Sequence, residues 1–444
     1  MLGSLMQSLE ELVSDNAHYI SRRVFTAEEI YRQEKRYIFG KSWLYLSHES
    51  QVPNAGDFIT TTMGEAPVIV SRHTNGKVSA SLNSCAHRGL PVARGDRGNA
   101  KRFVCPYHAW SYDSTGKLCA VPQERKLGQK VCREKNSLKS VPRVEIFCGL
   151  IFGCMDAEVE SLENFLGDMR FYIECMFDRS SGGALVVGAP QKWMINCNWK
   201  VPVENQLGDV AHAPILHGAI LKGSPQVDDI EKYGFNVVPK AGHGLAVRLY
   251  PEDAPVTERI HGMDGLTMYD QETIDYMSEQ HAEVEQRLGK LRGRIKPLCY
   301  SVYPNLSLLW PNNTLRVSHP RGPGKTEYWS WFVVDKNIPD SVKIKLQRNY
   351  TMMFGPGGLL EQEDSEAWTQ QYIGNSIDYA EDRHLYFGLG EGEEGNHPEL
   401  PGKVGNVVNE FYVREFYKRW RQEIETGMKV DNRTFDAIAL KNLA

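Results

Sequence analysis

The chain has 444 residues, 41% hydrophobic and 24% charged, with a formal net charge of −5. That is an ordinary globular composition at a length that suits two domains, and the mild negative balance gives no reason to expect nucleic acid or an anionic membrane as partner. No long apolar run is free of charge, and nine cysteines are too sparse and odd in number for a disulfide framework, which argues against a membrane-spanning or disulfide-stapled architecture.

The amino terminus from Met1 to Glu11 lacks both a basic start and an uninterrupted apolar stretch, so it does not read as a secretory signal, and a cytoplasmic location is expected. Thr26-Ala27-Glu28-Glu29 forms a capping box with Phe25 and Ile30 at the positions of a hydrophobic staple, predicting a helix that runs towards Phe39. From Asp57 to about Pro122 short β-branched runs such as Val68-Ile69-Val70 are separated by Asn75-Gly76 and Thr115-Gly116, which read as hairpin turns of a small β domain. The expected division is a helical segment over 1–41 packing on the larger domain, the β domain over 42–160 and the larger domain over 161–444.

Within the β domain Cys85 and His87 stand in Cys-Ala-His-Arg-Gly, and Cys105 and His108 in Cys-Pro-Tyr-His-Ala-Trp. Two thiolates can hold one iron of a [2Fe–2S] cluster while two imidazoles hold the other, and exchanging thiolate for neutral imidazole raises the reduction potential. Structural zinc uses the same residue types. Zinc fingers, however, usually place both cysteines before both histidines, whereas here each loop supplies one of each. The remaining cysteines, Cys119, Cys132, Cys148, Cys154, Cys175, Cys197 and Cys299, read as reduced and mostly buried thiols.

A second constellation follows in Asn198-Trp199-Lys200, Glu204-Asn205, Asp209, His212 and His217. On a continuous helix Asn205, Asp209 and His212 share one face. Pro214 should kink or end that helix and let His217 reach the same point. Two histidines and one carboxylate on one face of an iron leave open positions for substrate and O₂. The carboxylate must come from elsewhere, and Glu361, Glu363 and Asp364 compete for the role, since spacing alone does not choose among them. Either histidine taken singly reads as an ordinary core or surface residue; after the first motif the pair reads as ligands. Trp199 is expected to be core and Lys200 a surface charge.

Beyond about residue 160 helical and strand signals mix, with a β-rich stretch at Tyr328-Trp329-Ser330-Trp331-Phe332-Val333-Val334, so the larger domain is expected to be α+β. Its last element is a helix from Val408 to Ile424, on which Val408, Tyr412, Phe416 and Trp420 form one apolar stripe. Gly390-Glu391-Gly392-Glu393-Glu394-Gly395 matches the dinucleotide-binding pattern only formally. Its acidic residues would repel a pyrophosphate and Asn396-His397-Pro398 follows in place of the required helix, so it reads as a solvated loop. With no other nucleotide signature, any NAD(P)H must be oxidised on another protein.

With Phe39-Gly40-Lys41-Ser42-Trp43, Gln191-Lys192-Trp193 and His319-Pro320-Arg321-Gly322-Pro323, these motifs make the chain resemble, over nearly its whole length, the large (α) subunit of Rieske non-heme iron aromatic-ring dioxygenases. Leu360-Glu361-Gln362-Glu363-Asp364-Ser365-Glu366-Ala367-Trp368 is similar to a segment of the naphthalene, biphenyl and phenylpropionate group. One departure is Ala109, where glycine is usual; it is expected to tighten the loop without touching a ligand. The resemblance implies an α+β fold in which a small all-β Rieske domain joins a catalytic domain built on an antiparallel sheet flanked by helices. It implies a [2Fe–2S] cluster on Cys85, His87, Cys105 and His108, and a mononuclear Fe(II) on His212, His217 and Asp364. Asp209 is implied to couple an iron-ligand histidine to a Rieske histidine of the neighbouring subunit, with Asn205 near the iron.

Gln206, Ala213, Leu309, Phe354 and Leu360 match the substrate pocket, and Gln206 departs from the aromatic residue often found there, leaving room for a polar substituent or a larger ring. The implied reaction joins both atoms of O₂ to an aromatic ring to give a cis-dihydrodiol. The implied partners are a small β subunit in an α₃β₃ assembly, a ferredoxin, and an NAD(P)H-dependent flavin reductase. A same-fold monooxygenase or angular dioxygenase would share every ligand, a Rieske electron carrier would need only the first domain, and a zinc hydrolase would hold no iron.

Overall fold

The computed structural model describes residues 9–126, 128, 130–221, 230, 232–260 and 269–441. The chain forms two compact units, Phe39–Leu162 and a second made of the residues up to Ile38 together with Glu163 onwards.

The first unit is built from short antiparallel strands. Val78–Leu82, Ala66–Arg72, Asp57–Met63 and Arg97–Asn99 form one sheet in that order, Arg102–Val104, Ser111–Asp113 and Leu118–Ala120 a second, and Arg143–Phe147, Leu150–Cys154 and Leu44–His48 a third. Turn chemistry sets the hairpins. Gly76 takes the left-handed φ of +81° that an L side chain resists, and the Asn75 side chain accepts from the Lys77 amide at 3.0 Å,. At the tip after Ser111–Asp113 the Asp113 carboxylate accepts from the amides of Thr115 and Lys117, at 2.8 and 3.0 Å.

The second unit carries a nine-stranded antiparallel sheet in the order Ala184–Ile195, Thr326–Asp335, Thr314–Pro320, Leu306–Leu309, Ile295–Val302, Gly244–Leu249, Gly234–Val238, Lys403–Gly405, Gly395–Asn396. Every residue of Ile295–Val302 and Thr314–Pro320 is buried, the pattern of central strands covered on both faces. The helix Lys200–Gln206 packs on the middle strands, Asp340–Phe354 on Thr326–Asp335, Leu359–Asn375 on Ala184–Ile195, and Phe411–Lys441 on Gly234–Val238 and Gly244–Leu249. The architecture is α+β, and the helices Lys200–Gln206 and Leu359–Asn375 carry the candidate site residues Asn205, Gln206 and Asp364.

Four local expectations need correcting. The Thr26 hydroxyl donates back to the carbonyl of Arg22 and caps nothing; Ala27 precedes the helix Glu28–Gln33, which continues as a wider π turn over Glu34–Ile38. Lys200 is no surface charge: it is fully buried, its ammonium 2.5 Å from Glu34 Oε1. That carboxylate also accepts from the indoles of Trp199 and Trp420, each at 2.9 Å. A buried ion pair persists only when its remaining hydrogen-bonding capacity is filled, and here two indoles fill it.

The carboxy-terminal helix starts at Phe411, after the Asn409 side chain accepts from the Phe411 amide at 2.9 Å, and leaves Val408 outside, 61% exposed. Tyr412, Phe416, Trp420 and Ile424 are its buried stripe. Finally, no single helix carries Asn205 to His212, because Lys200–Gln206 ends well before Pro214. The break falls at Gly208, whose φ of +148° and 2.9 Å approach of a would-be Cβ to the Asn236 side chain admit only glycine,. Pro214 instead sits in the first turn of a separate short helix, Ala213–Leu216, where its missing N–H costs nothing.

Candidate functional site

The two loops of the first unit are built alike. The Gly89 amide donates to the Cys85 carbonyl at 2.7 Å and the Cys85 amide to Leu90 at 3.0 Å; the Ala109 amide donates to Cys105 at 2.9 Å and the Cys105 amide to Trp110 at 2.8 Å. The repeat places Gly89, at φ +80°, and Ala109, at φ +56°, in the same left-handed position. Ala109 therefore bears a backbone strain that the sequence reading did not foresee.

Cys85 and Cys105 are buried at the loop bases, while His87 is exposed and its ring lies 4.6 Å from that of His108. His87 stacks on Trp110 at 4.9 Å with the rings 6° from parallel. Tyr112, which sequence reasoning passed over, sets its hydroxyl 3.2 Å from Cys85 Sγ and accepts from the Ala86 amide at 3.1 Å. Burial, and then the Cys85 contact, push its phenol well up, so it stays a hydrogen-bond donor beside the sulfur, a position that tunes a cluster's potential. The donor set fits a two-iron cluster. Nδ1 of His108 is buried with no protein partner. Among the described residues, no three of these four side chains bring their ligand atoms within 4.8 Å of one another, whereas one tetrahedral zinc at about 2.0–2.3 Å from each ligand would require it.

In the second unit the one group that does meet that condition among the described residues is His212, His217 and Asp364. His212 and His217 flank the short helix Ala213–Leu216, their rings 5.3 Å apart. Asp364 enters from the helix Leu359–Asn375, with Oδ1 3.5 Å from His212 Nε2 and 3.3 Å from His217 Nε2. Those contacts are too long and poorly aimed to be hydrogen bonds, so Oδ1 is a buried acceptor with no donor. Each ring is held from behind: Asp209 Oδ2 lies 3.3 Å from Nδ1 of His212, and Glu363 Oε2 lies 2.7 Å from Nδ1 of His217. In the neutral rings both Nε2 atoms would thereby be left as lone-pair donors turned towards Asp364. Burial pulls the His212 imidazole down, but Asp209 and Asp364 outweigh it and raise it to about 10.

The three competing carboxylates thus have three separate partners. Glu361 is fully buried in an ion pair with Arg316 at 2.8 Å, Glu363 holds His217 from behind, and Asp364 alone joins the ligand cluster. Arg316, which sequence reasoning missed, also lies over the Phe354 ring at 4.8 Å. Asn205 Nδ2 is 3.3 Å from His212 Nε2 and its Oδ1 accepts from Gln206 at 2.8 Å. The helix bearing both amides is pinned by the Lys200–Glu34 pair and by a hydrogen bond from Tyr417 to Glu204.

Beside this cluster opens a cleft with about 740 Å³ of empty space, the open solvent at its mouth included, lined by Gln206, Ala213, Leu309, Phe354 and Leu360 together with Val210, Leu298 and Cys299. All five pocket positions expected from sequence meet there. No described helix is long and apolar enough to cross a membrane.

Comparison with known proteins gives the same two parts. Residues 42–142 match the Rieske [2Fe-2S] domain family and residues 162–426 the catalytic domain of the ring hydroxylating alpha subunits. The chain is 35% identical over 427 residues to the alpha subunit of biphenyl 2,3-dioxygenase from Rhodococcus jostii, spanning 93% of this chain and 90% of that one. It is 35% identical over 428 residues to the alpha subunit of benzene 1,2-dioxygenase from Pseudomonas putida, spanning 93% and 92%. Naphthalene 1,2-dioxygenase from Rhodococcus sp., solved with indole bound, superposes with a TM-score of 0.84 at 31% identity over 96% of this chain and 99% of that one.

Proposed function

Because the chain belongs to the ring-hydroxylating alpha-subunit family, with a Rieske [2Fe–2S] cluster and a mononuclear non-heme iron as cofactors, we propose that it dihydroxylates an aromatic ring. In balance, arene, O₂, two electrons and two protons give a cis-dihydrodiol. The observation that carries this reading is the cluster of His212, His217 and Asp364 beside a cleft with a mostly apolar lining,.

When bound, the [2Fe–2S] cluster supplies single electrons and the mononuclear iron supplies the site of O₂ reduction. Cys85, Cys105, His87 and His108 would hold the first, and His212, His217 and Asp364 the second. The chain's own work is placement. Glu363 fixes the His217 imidazole by accepting from Nδ1, Asp209 faces Nδ1 of His212 and accepts from its backbone amide, the Arg316–Glu361 pair braces the helix that carries Asp364, and Leu309, Phe354 and Leu360 hold a flat ring and keep water from it. Asn205 offers a side-chain amide beside His212. Asp209, whose side chain is 35% exposed, is the residue we assign to electron entry, its carboxylate joining His212 to a Rieske histidine of a neighbouring subunit.

The assembly we infer is three α subunits with three small β subunits, fed by a ferredoxin and an NAD(P)H-dependent flavin reductase. That supply, and nine cysteines with no disulfide among them, favour the cytoplasm. The test is metal analysis with a visible spectrum, followed by product identification against a set of arenes. Two cluster irons plus one further iron per chain and a dihydrodiol product are expected; zinc, or a product carrying a single new oxygen, would replace this reading.

A further inference from the structure

Among the described residues that line the cleft, Asp364 and Gln206 each carry a buried side-chain oxygen with no hydrogen-bond donor, Oδ1 in the first and Oε1 in the second. The Asp364 oxygen belongs to the ligand cluster. The Gln206 oxygen does not. Gln206 is 3% exposed and ends the helix Lys200–Gln206, which the buried Lys200–Glu34 pair holds in place. Asn205 orients its amide: Nε2 of Gln206 donates to Asn205 Oδ1 at 2.8 Å, and Asn205 Nδ2 in turn lies 3.3 Å from His212 Nε2. The nitrogen end of the Gln206 amide is thereby used within the protein, and the oxygen end is left over.

A carbonyl buried without a donor has lost its hydration and gained no bond, and such a group in a folded protein calls for an explanation. A water satisfies it only where several polar partners surround the water, and Val210, Leu298, Leu309, Phe354 and Leu360 of the same lining offer none. Arg248, also in the lining, is already engaged within the protein. A ligand with an O–H or N–H matches the vacant acceptor. A ring that lacks such a donor seals the carbonyl in unpaired, and a site of this kind discriminates against it. We propose that Gln206 determines specificity: its Oε1 accepts from a hydroxyl or amino group on the substrate, so that the site takes hydroxyarenes and aminoarenes in preference to plain hydrocarbons. This rests on the ring-hydroxylating reading above and adds the class of ring it accepts.

The test is equilibrium dialysis of the anaerobic holoenzyme with phenol, 2-naphthol and 4-hydroxybiphenyl, each beside its amino, methyl and methoxy counterparts. For at least one ring the hydroxyl and amino forms should bind about 10-fold more tightly than the methyl form, which has no hydrogen-bonding group, and than the methoxy form, which can only accept. Gln206→Met, of similar length and without the carbonyl, should bring the four forms of that ring within about 2-fold of one another. Gln206→Leu gives the same reading should Gln206→Met not fold. Equal binding of all four forms by the wild-type protein would overturn the proposal. So would tighter binding of the methoxy form, which would mean that the amide presents its nitrogen, or a hydroxyl preference that survives Gln206→Met, as a hydroxyl seated on the iron would give. Turnover measured alongside separates the two readings. Methylarenes dihydroxylated with no preference for the hydroxyl form would refute the role of Gln206 alone, and hydroxyarenes held through Gln206 with no ring oxidised would refute the ring chemistry alone.

Discussion

Glu363 holds Nδ1 of His217 at 2.7 Å from a position one residue before Asp364, whose own Oδ1 lies 3.3 Å from Nε2 of the same ring. One imidazole is thus held on one side and faced on the other by adjacent residues of one helix. On a helix neighbours diverge by about 100°, so the pair can straddle the ring only because its edge points at the helix. The consequence is a fixed tautomer, with the proton on the Glu363 side and the lone pair on the other.

This division of labour among neighbouring carboxylates is open to mutation. Asp364→Ala should lose the mononuclear iron and all turnover while keeping the Rieske spectrum. Glu363→Ala should retain the site but bind iron about 10–100-fold more weakly, read by competition with a chelator. Glu361→Ala should leave iron affinity close to wild type and lower unfolding stability by about 3–5 kcal/mol, because it strands the buried guanidinium of Arg316. Iron binding lost in Glu361→Ala or Glu363→Ala and kept in Asp364→Ala would reverse the assignment.

Ala109→Gly should stabilise the protein by about 1 kcal/mol, since it relieves a left-handed residue whose counterpart in the twin loop is already Gly89. The expected readout is a higher thermal midpoint for loss of the cluster's visible absorption, with the spectrum itself unchanged. A lower midpoint would show that the Ala109 methyl contributes packing worth more than its strain.

The buried His243 predicts acid sensitivity. Its Nε2–H donates to the Phe165 carbonyl at 2.8 Å and its Nδ1 accepts from the Tyr303 amide at 3.0 Å, so both nitrogens are committed with the ring neutral. Burial, and then the charge of Arg419, lower it from 6.5 to about 3. The folded state refuses a proton that the unfolded chain accepts. The contribution is therefore complete above pH 6.5 and is lost as pH falls towards 3, about 2 kcal/mol by pH 5. Denaturant midpoints over this range should flatten in His243→Gln; an unchanged slope would contradict the assignment.

Much of this was readable in the sequence, and for a physical reason. Candidate metal ligands must be particular residue types at spacings a loop can close, so Cys85, His87, Cys105 and His108, and then His212 and His217, stand out from any background. The same reading misplaced Lys200 and Val408. A lysine's burial depends on what the distant Glu34 offers, and an apolar stripe does not show that Asn409 will start the helix after Val408. Spacing alone could not divide Glu361, Glu363 and Asp364, and only the resemblance chose Asp364, because their roles depend on Arg316 and His217, brought in from other elements. The helix break was assigned to Pro214, where the proline is harmless, and not to Gly208, where a positive φ and the nearby Asn236 side chain favour glycine.

Asp209→Asn should keep both metal centres and slow oxidation of the reduced cluster by at least about 10-fold, because an amide cannot hold two imidazole N–H groups as a carboxylate does. Stopped-flow absorbance gives the rate and metal analysis the control. A wild-type rate would remove Asp209 from the electron path, and loss of iron would make it a support or ligand of that centre.

The most direct test of the account is a single turnover. The cluster is reduced, the reductant removed, and an arene that the protein binds is added with ¹⁸O₂. The prediction is oxidation of the cluster together with a cis-dihydrodiol carrying two ¹⁸O atoms, at a yield limited by the electrons stored. A product with one labelled oxygen, or cluster oxidation with no change to the ring, would contradict it.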